Sequence, residues 1–184
     1  MLIQTSDHIS LWDASAVEDK FVNPMNGDLT CDVAIVGGGF TGLSTALHAG
    51  EKGIRCHVFE ANQIGFGGSG RNAGLVNAGM WLPPADVEQK LGKARGGALI
   101  QSLGDAPEYV FSLIERFQIR CEVTRSGTIH AAHAPKGLDE LRRRADTWQA
   151  LGAPVELMSR VQTTEMIGTE AFHGGLLDHR AGTL

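Results

Sequence analysis

The stretch Asp32-Val33-Ala34-Ile35-Val36-Gly37-Gly38-Gly39-Phe40-Thr41-Gly42 decides the fold of this 184-residue chain. It begins as a short apolar run that stops at glycine, which is typical of a buried parallel β-strand. The residues from Gly37 to Gly42 fit the pattern G-x-G-x-x-G. A helical pattern follows from Thr41 to Lys52, with Gly53 as its C-cap, and a second strand runs from Arg55 to Glu60. The sequence therefore predicts a βαβ unit that binds a dinucleotide.

The residues of this turn have distinct tasks in such a unit. Gly37 lets the chain turn sharply, Gly39 lets the backbone approach a pyrophosphate, and Gly42 lets the helix pack closely on the strand. Phe40 and Thr41 open the helix, whose free N–H groups and positive dipole end attract phosphate. All five residues are therefore candidates for cofactor binding.

Glu60 ends the second strand, 23 residues after Gly37. A carboxylate at this point can accept hydrogen bonds from both ribose hydroxyls of a dinucleotide. It also disfavours a 2′-phosphate, which makes NADP a poor candidate. The βαβ unit by itself leaves FAD and NAD as alternatives.

A second glycine-rich stretch, Gly67-Gly68-Ser69-Gly70-Arg71-Asn72-Ala73-Gly74-Leu75, begins seven residues after Glu60. Such a loop can present Ser69, Arg71 and backbone N–H groups to the far side of the pyrophosphate, and it can carry the chain under a flavin ring. The alternative is a flexible surface loop, but an arginine among so many glycines indicates a docked anion. This stretch favours FAD over NAD.

Residues 32–60, together with Gly65 to Gly74, resemble the N-terminal part of the FAD-dependent D-amino-acid oxidase and glycine oxidase superfamily. Within it, the resemblance is closest to the gamma-glutamylputrescine oxidase group. The end of the chain, from Gly175 to Leu184, is similar to the segment of that group that returns from the substrate domain to the FAD domain. The resemblance implies FAD, oxidation of a C–N bond in an amine or amino acid by hydride transfer to flavin, and O₂ as the usual electron acceptor.

The resemblance also implies roles for individual residues. The ADP half of FAD is expected at Gly37, Gly39, Gly42 and Glu60, with Ala61 lining the adenosine site. The pyrophosphate and the flavin are expected along Ser69, Arg71, Asn72, Ala73, Gly74 and Leu75. No catalytic base is assigned, because the flavin carries the chemistry and the protein supplies positioning and electrostatics.

The predicted fold class is α/β: a Rossmann-like FAD-binding βαβ unit with part of an α+β substrate domain, in a chain expected to be the N-terminal portion of a longer protein. Four segments are expected: an extended N-terminal arm at 1–30, the FAD-binding portion with a helical insertion at 31–118, the start of the antiparallel substrate domain at 119–173, and the returning segment at 174–184. Further elements are expected as helices at Ala85–Ser102 and Asp105–Phe117 on either side of Gly104, paired strands at Cys121–Thr124 and Gly127–Ala134, a helix at Pro135–Leu151 and a strand at Pro154–Met158.

Composition narrows the function classes further. The net charge is −5, and the one basic run, Arg142-Arg143-Arg144, fits a solvated helix face, so no nucleic-acid partner is expected. Three widely spaced cysteines fit a reducing compartment, and there is no signal peptide or membrane span, so a cytoplasmic protein is expected. No metal site is expected, because His130 and His133 point to opposite faces of a predicted strand.

Two other functions stay open beside the amine or amino-acid oxidase that uses O₂. One is a flavin dehydrogenase of the same superfamily that passes electrons to another acceptor. The other is a non-catalytic remnant of such an enzyme. The expected small-molecule partner is an amine or amino-acid substrate, and the sequence leaves the oligomeric state undetermined.

Overall fold

The computed structural model describes residues 10–16, 23–80 and 82–184. The chain forms two compact units, Met1–Ala73 and Gly74–Leu184. This division falls well before residue 118, where the sequence places the end of the FAD-binding portion, and the functional division into four segments stays a prediction.

The N-terminal arm was predicted to be extended, but this is wrong for Leu11–Ser15, which form a helix. Helix α1 (Leu11–Ser15) begins at the N-cap Ser10, whose side chain accepts the backbone N–H of Asp13 while the Asp13 carboxylate accepts the N–H of Ser10. This capping box stabilises a short helix where a composition of scattered polar residues indicated none. Phe21, an apolar residue of this arm, lies outside the described residues.

The βαβ unit is confirmed in the first compact unit. Strand β1 (Val33–Val36), helix α2 (Phe40–Gly50) and strand β2 (Cys56–Phe59) follow one another, and the strands pair in parallel. The helix ends at Gly50 with Glu51 as its C-cap, two residues before the predicted cap Gly53, which instead makes the turn that follows. The φ of +75° at Gly53 allows the Ile54 N–H to bond the Ala49 carbonyl at 3.0 Å, which closes the helix.

The expectation that β1 is buried along its length is wrong. Ile35 is the one buried apolar side chain among the described residues of the first unit, and Val36 is 89% exposed. The parallel sheet of this unit has two strands, β1 and β2, so α2 covers only part of β1. A run of apolar residues predicts a strand, but whether that strand is buried depends on the elements that pack against it.

The second compact unit contains two antiparallel sheets and four helices in its described residues. The elements are β3 (Leu75–Val76), α3 (Pro84–Leu91), α4 (Lys93–Phe117), β4 (Thr128–Ala131), α5 (Pro135–Ala150), β5 (Val155–Met158), α6 (Arg160–Ile167), β6 (Gly175–Asp178) and β7 (Gly182–Thr183). Strands β4, β6 and β5 form one sheet in that order, and β3 pairs with β7 in the other. The hydrophobic core lies between α5 and the three-stranded sheet; it consists of Ala132, Leu141, Ala145, Trp148, Val155 and Leu176.

The helix α5 and the strand β5 are confirmed, but the break between the preceding two helices was misplaced. The two helices are separated at Gly92, where φ is +77°, and α4 continues without interruption through Gly104. Gly104 is buried, and a methyl group there would lie 3.2 Å from Nη1 of Arg180. This glycine therefore serves close packing and does not interrupt the helix.

The predicted pairing of two strands around Ser126-Gly127 is also wrong. Thr124 forms an isolated bridge with Thr183, and β4 pairs with β6, which lies far along the chain. The apolar strand β6 brings buried Leu176 and Leu177 into the sheet, whereas Val123 is exposed. Pairing of β4 with β6 is favoured because it buries these apolar side chains. No helix in the described ranges is long and apolar enough to cross a membrane.

Candidate dinucleotide site

The glycine turn between β1 and α2 is built as its pattern predicts. Gly37 has a φ of +101°, a conformation that side chains disfavour. A methyl group at Gly42 would overlap the carbonyl oxygen of Gly37 and lie 3.3 Å from Cγ2 of Ile35. Phe40 and Thr41 lie in the first turn of α2, which begins one residue before the predicted start at Thr41. The turn therefore brings the start of α2 directly against the end of β1.

Glu60 is attached to this turn by its carboxylate. The Gly38 N–H donates to Oε2 at 2.8 Å, and the Asn62 N–H donates to Oε1 at 3.0 Å. The bond from Gly38, followed by the bond from Asn62, holds the pKa of Glu60 below its ordinary value. The carboxylate is therefore ionised at neutral pH. Each oxygen keeps one further lone pair that can accept a hydroxyl.

Gly38 was missed as a site residue, although it lies inside the motif. It occupies a variable position of G-x-G-x-x-G, so the pattern alone gives it no task. In the structure a methyl group there would lie 2.6 Å from Cδ1 of Ile64, and its N–H orients Glu60. The signal that could have found it is the run of three consecutive glycines, of which the motif explains two.

The second glycine stretch lies against the first. The Phe40 N–H, at the start of α2, donates to Oγ of Ser69 at 3.0 Å, and the Gly65 N–H donates to the Gly38 carbonyl at 2.9 Å. A methyl group at Gly39 would lie 2.9 Å from Oγ of Ser69. The structure therefore brings Ser69 together with the glycine turn that the sequence singled out. The sequence explained Gly39 by the approach of a pyrophosphate; in the structure the Ser69 side chain also lies close to it.

The remaining residues of the second stretch fall into two groups. Arg71 has its guanidinium 4.7 Å from the centroid of the Phe66 ring, and Asn72 donates from Nδ2 to the Ser69 carbonyl at 2.7 Å. Ala61 and Ala73 are exposed and belong to the same compact unit. The other two candidates belong to the second unit: the Gly74 carbonyl accepts the Leu184 N–H at 2.9 Å, and Leu75 pairs with Thr183 in the sheet of β3 and β7.

The donors and acceptors of the first unit fit the adenosine and diphosphate parts of FAD. An ionised carboxylate with spare lone pairs suits ribose hydroxyls, and a helix start without bulky side chains at Gly37, Gly38 and Gly39 suits a diphosphate. Among the residues that the structure describes, no group of three or more His, Cys, Asp or Glu side chains is placed to hold a metal ion. Fold and site together define the class: a protein built on a dinucleotide-binding βαβ unit.

Comparison with known proteins identifies the family. Residues 32–184 match the family model described as DAO, FAD dependent oxidoreductase. The chain belongs to this family of oxidoreductases, whose cofactor is FAD. The resemblance drawn from the two glycine stretches is thereby confirmed, as is the α/β fold class.

Individual relatives agree with this assignment. Gamma-glutamylputrescine oxidoreductase of Escherichia coli K12 is 36% identical over 176 residues, which cover 94% of this chain and 41% of that protein. Glycine oxidase of Geobacillus kaustophilus is 28% identical over 148 residues, covering 79% of this chain and 37% of that protein. This chain thus spans about two fifths of the length of such relatives.

Solved structures show the same fold. The crystal structure of the glycine oxidase from Geobacillus kaustophilus superposes with a TM-score of 0.66 at 27% identity, over 83% of this chain and 40% of that one. The L-amino acid deaminase from Proteus vulgaris superposes with a TM-score of 0.64 at 18% identity, over 89% of this chain and 37% of that one. The second likeness shows the fold alone.

Proposed function

We propose that this chain supplies the FAD-binding part of an enzyme that oxidises the C–N bond of an amine or amino acid. The observation that carries the proposal is the bond from the Gly38 N–H to Oε2 of Glu60. It fixes an ionised carboxylate beside the phosphate turn, at the position where a ribose would bind. The names of the relatives, gamma-glutamylputrescine oxidoreductase and glycine oxidase, support an amine or amino-acid substrate.

The candidate residues have the following roles in this proposal. Glu60 accepts the ribose hydroxyls, with Ala61 beside the adenosine. The first turn of α2, with Gly37, Gly39, Phe40, Thr41 and Gly42, receives the diphosphate through backbone N–H groups and the positive end of the helix dipole. Ser69, Arg71, Asn72 and Ala73 lie along the diphosphate, and Gly74 and Leu75 lead the chain toward the flavin.

Arg71 lies over the ring of Phe66, with its guanidinium carbon 4.7 Å from the ring centroid. This cation–π contact holds the positive charge within the second glycine stretch, and the guanidinium N–H groups are the donors to the diphosphate in this proposal. When bound, FAD supplies the acceptor for a hydride from the substrate carbon. In the proposal O₂ takes the electrons afterwards, residues 119–173 begin the substrate domain and residues 174–184 return toward the FAD domain.

FAD binding by the purified chain tests the cofactor site. We expect the chain to retain the visible absorption of a flavin after desalting, and ADP to compete with FAD while NADP competes poorly. Glu60→Gln should weaken FAD binding about tenfold or more, because hydrogen bonds to a charged group are lost. Glu51→Gln is the matched control, since Glu51 lies just beyond the opposite end of α2. A colourless folded chain, or equal affinities for the two variants, would overturn the proposed site.

The reaction class is tested with the FAD-loaded protein under anaerobic conditions. Addition of single amines and amino acids should bleach the flavin absorption for a subset of these compounds. Admission of air should then restore the absorption and release hydrogen peroxide in equal amount. Bleaching that is reversed by an artificial quinone but not by air would instead support a dehydrogenase that uses another acceptor.

We infer a cytoplasmic location from the cysteines. Cys31, Cys56 and Cys121 are free thiols in the structure. A chain without disulfides fits a reducing compartment. Cell fractionation with an antibody against the chain tests this, and recovery in an extracellular or periplasmic fraction would overturn it.

A further inference from the structure

Three hydrogen bonds connect the N-terminal helix α1 with the start of α2. The indole Nε1 of Trp12 donates to the Asn72 carbonyl at 2.9 Å. Nδ2 of Asn72 donates to the Ser69 carbonyl at 2.7 Å, and Oγ of Ser69 accepts the Phe40 N–H at 3.0 Å. All four residues belong to the first compact unit. A segment far from the glycine motif is thus linked to it through the second glycine stretch.

Trp12 provides this connection from a very short helix. The helix has five residues, and a helix of that length is unstable in isolation. Its capping box fixes where it begins, and Trp12 supplies the contact with the glycine stretch. Trp12 is half-buried, whereas the adjacent Leu11 is 71% exposed. The indole N–H of Trp12 therefore attaches α1 to the second glycine stretch.

The bond between the Phe40 N–H and Oγ of Ser69 determines which hydrogen-bond donor the glycine turn offers to a ligand. A serine hydroxyl has one donor and two acceptor positions. Because Oγ of Ser69 accepts the Phe40 N–H, its own proton is left to donate elsewhere. Ser69 thereby replaces a backbone donor with a hydroxyl donor that can reach further from the helix. This exchange works only while residues 67–72 stay against the turn.

We propose that Trp12 is a positioning residue of the cofactor site. Its indole N–H holds Asn72, which holds Ser69 at the first N–H of α2, and so keeps the second glycine stretch closed over the diphosphate. The inference rests on the proposed FAD site and adds a residue that neither glycine motif contains. Loss of the indole N–H is expected to loosen residues 67–72 and to speed the release of FAD.

Trp12→Phe tests the proposal, because it removes the donor and keeps an aromatic ring. FAD release should be about three to ten times faster than in the unchanged chain, which is the effect of one lost hydrogen bond. The release is measured by the recovery of flavin fluorescence after dilution. Leu11→Ala is the matched control from the same helix and should leave release unchanged. Equal release rates for Trp12→Phe and Leu11→Ala would overturn the proposal.

Two further measurements separate positioning from a general loss of stability. In the absence of FAD, the Tm of Trp12→Phe should match that of Leu11→Ala, while amide hydrogen exchange within residues 67–72 and at Phe40 should be faster in Trp12→Phe. A drop in Tm without local change in exchange would contradict the positioning role. If the unchanged chain binds no FAD, the proposed function fails; if it binds FAD and Trp12→Phe behaves as the control, only the present inference fails.

A second variant covers the case in which Trp12→Phe does not fold. Ser10→Ala combined with Asp13→Ala removes both bonds of the capping box and keeps Trp12. The double variant should speed FAD release in the same direction, because α1 no longer presents the indole in one place. Release at the rate of the unchanged chain would overturn the proposal.

Discussion

Oε2 of Glu60 accepts the backbone N–H of Gly38 at 2.8 Å, which joins the end of β2 to the middle of the glycine turn. The relationship is mutual: the turn orients the carboxylate, and the carboxylate satisfies an N–H that the turn exposes. The Asn62 N–H donates to the other oxygen, Oε1, at 3.0 Å, so both carboxylate oxygens are held in place. Because the side chain is already oriented, ribose binding has a smaller entropic cost.

The first prediction is a pH dependence of stability that requires Glu60. Its pKa is lowered in the folded chain, chiefly by the Gly38 N–H, so the stabilisation is complete above the ordinary carboxyl pKa of about 4.3 and is lost as the pH falls through the folded pKa. The free energy of unfolding of Glu60→Gln should therefore approach that of the unchanged chain as the pH falls below about 4. Urea titrations across this range measure it, and a difference independent of pH would contradict it.

The second prediction concerns the contact of α2 with the turn. Gly42→Ala should lower the free energy of unfolding by about 1–3 kcal/mol or more, because its methyl group would overlap the Gly37 carbonyl oxygen. Gly50→Ala is the control at the other end of the same helix, with no atom within 4 Å of the new methyl group. It should change stability by less than about 1 kcal/mol. Urea unfolding of both variants makes the comparison, and equal losses would refute the packing argument.

The third prediction concerns the second glycine stretch. A methyl group at Gly70 would overlap the Gly65 carbonyl oxygen, whereas one at Gly68 meets no atom within 4 Å. Gly70→Ala should therefore displace Ser69 and free the Phe40 N–H, which becomes visible as faster hydrogen exchange of that amide. Gly68→Ala should leave the exchange of Phe40 unchanged. Slow exchange in both variants would show that the stretch adjusts without releasing Ser69.

Much of the first unit could be predicted because its signals are local. A short apolar run, a glycine turn and a helix with Gly53 after its end lie within 30 consecutive residues, and their order alone specifies βαβ. The contact between Ser69 and Phe40 follows less directly, since it joins two glycine stretches that the sequence relates only by cofactor chemistry. The bond from Trp12 to Asn72 has no signal in either motif.

The second unit was harder because distant residues decide its pairing. A turn at Ser126-Gly127 indicates a hairpin, yet β4 pairs with β6, whose buried leucines offer more apolar surface. Gly104 indicates a break when taken alone, but it lies inside a continuous helix, where a methyl group would be 3.2 Å from Nη1 of Arg180. Local propensity cannot reveal a neighbour that arrives from elsewhere in the chain.

The fourth prediction concerns the pair of Asp178 and Arg180 in the second unit. Asp178 accepts Nε of Arg180 at 2.9 Å and Nη2 at 2.6 Å, and the guanidinium lies 4.7 Å from the Trp148 ring. The two side chains are only 15% and 17% exposed, so each charge depends on the other. Asp178→Asn should therefore lower the free energy of unfolding by about 1–3 kcal/mol.

The control for this prediction is an exposed pair of the same chemistry. Nη1 of Arg142 lies 2.9 Å from Oδ1 of Asp139, but these side chains are 54% and 66% exposed. Asp139→Asn should change stability by less than about 1 kcal/mol, because water already screens that pair. Urea unfolding of both variants at low and high salt makes the comparison: salt should weaken the effect at Asp139 and leave most of the effect at Asp178. Equal effects at the two sites would show that burial does not strengthen the dependence of Arg180 on Asp178.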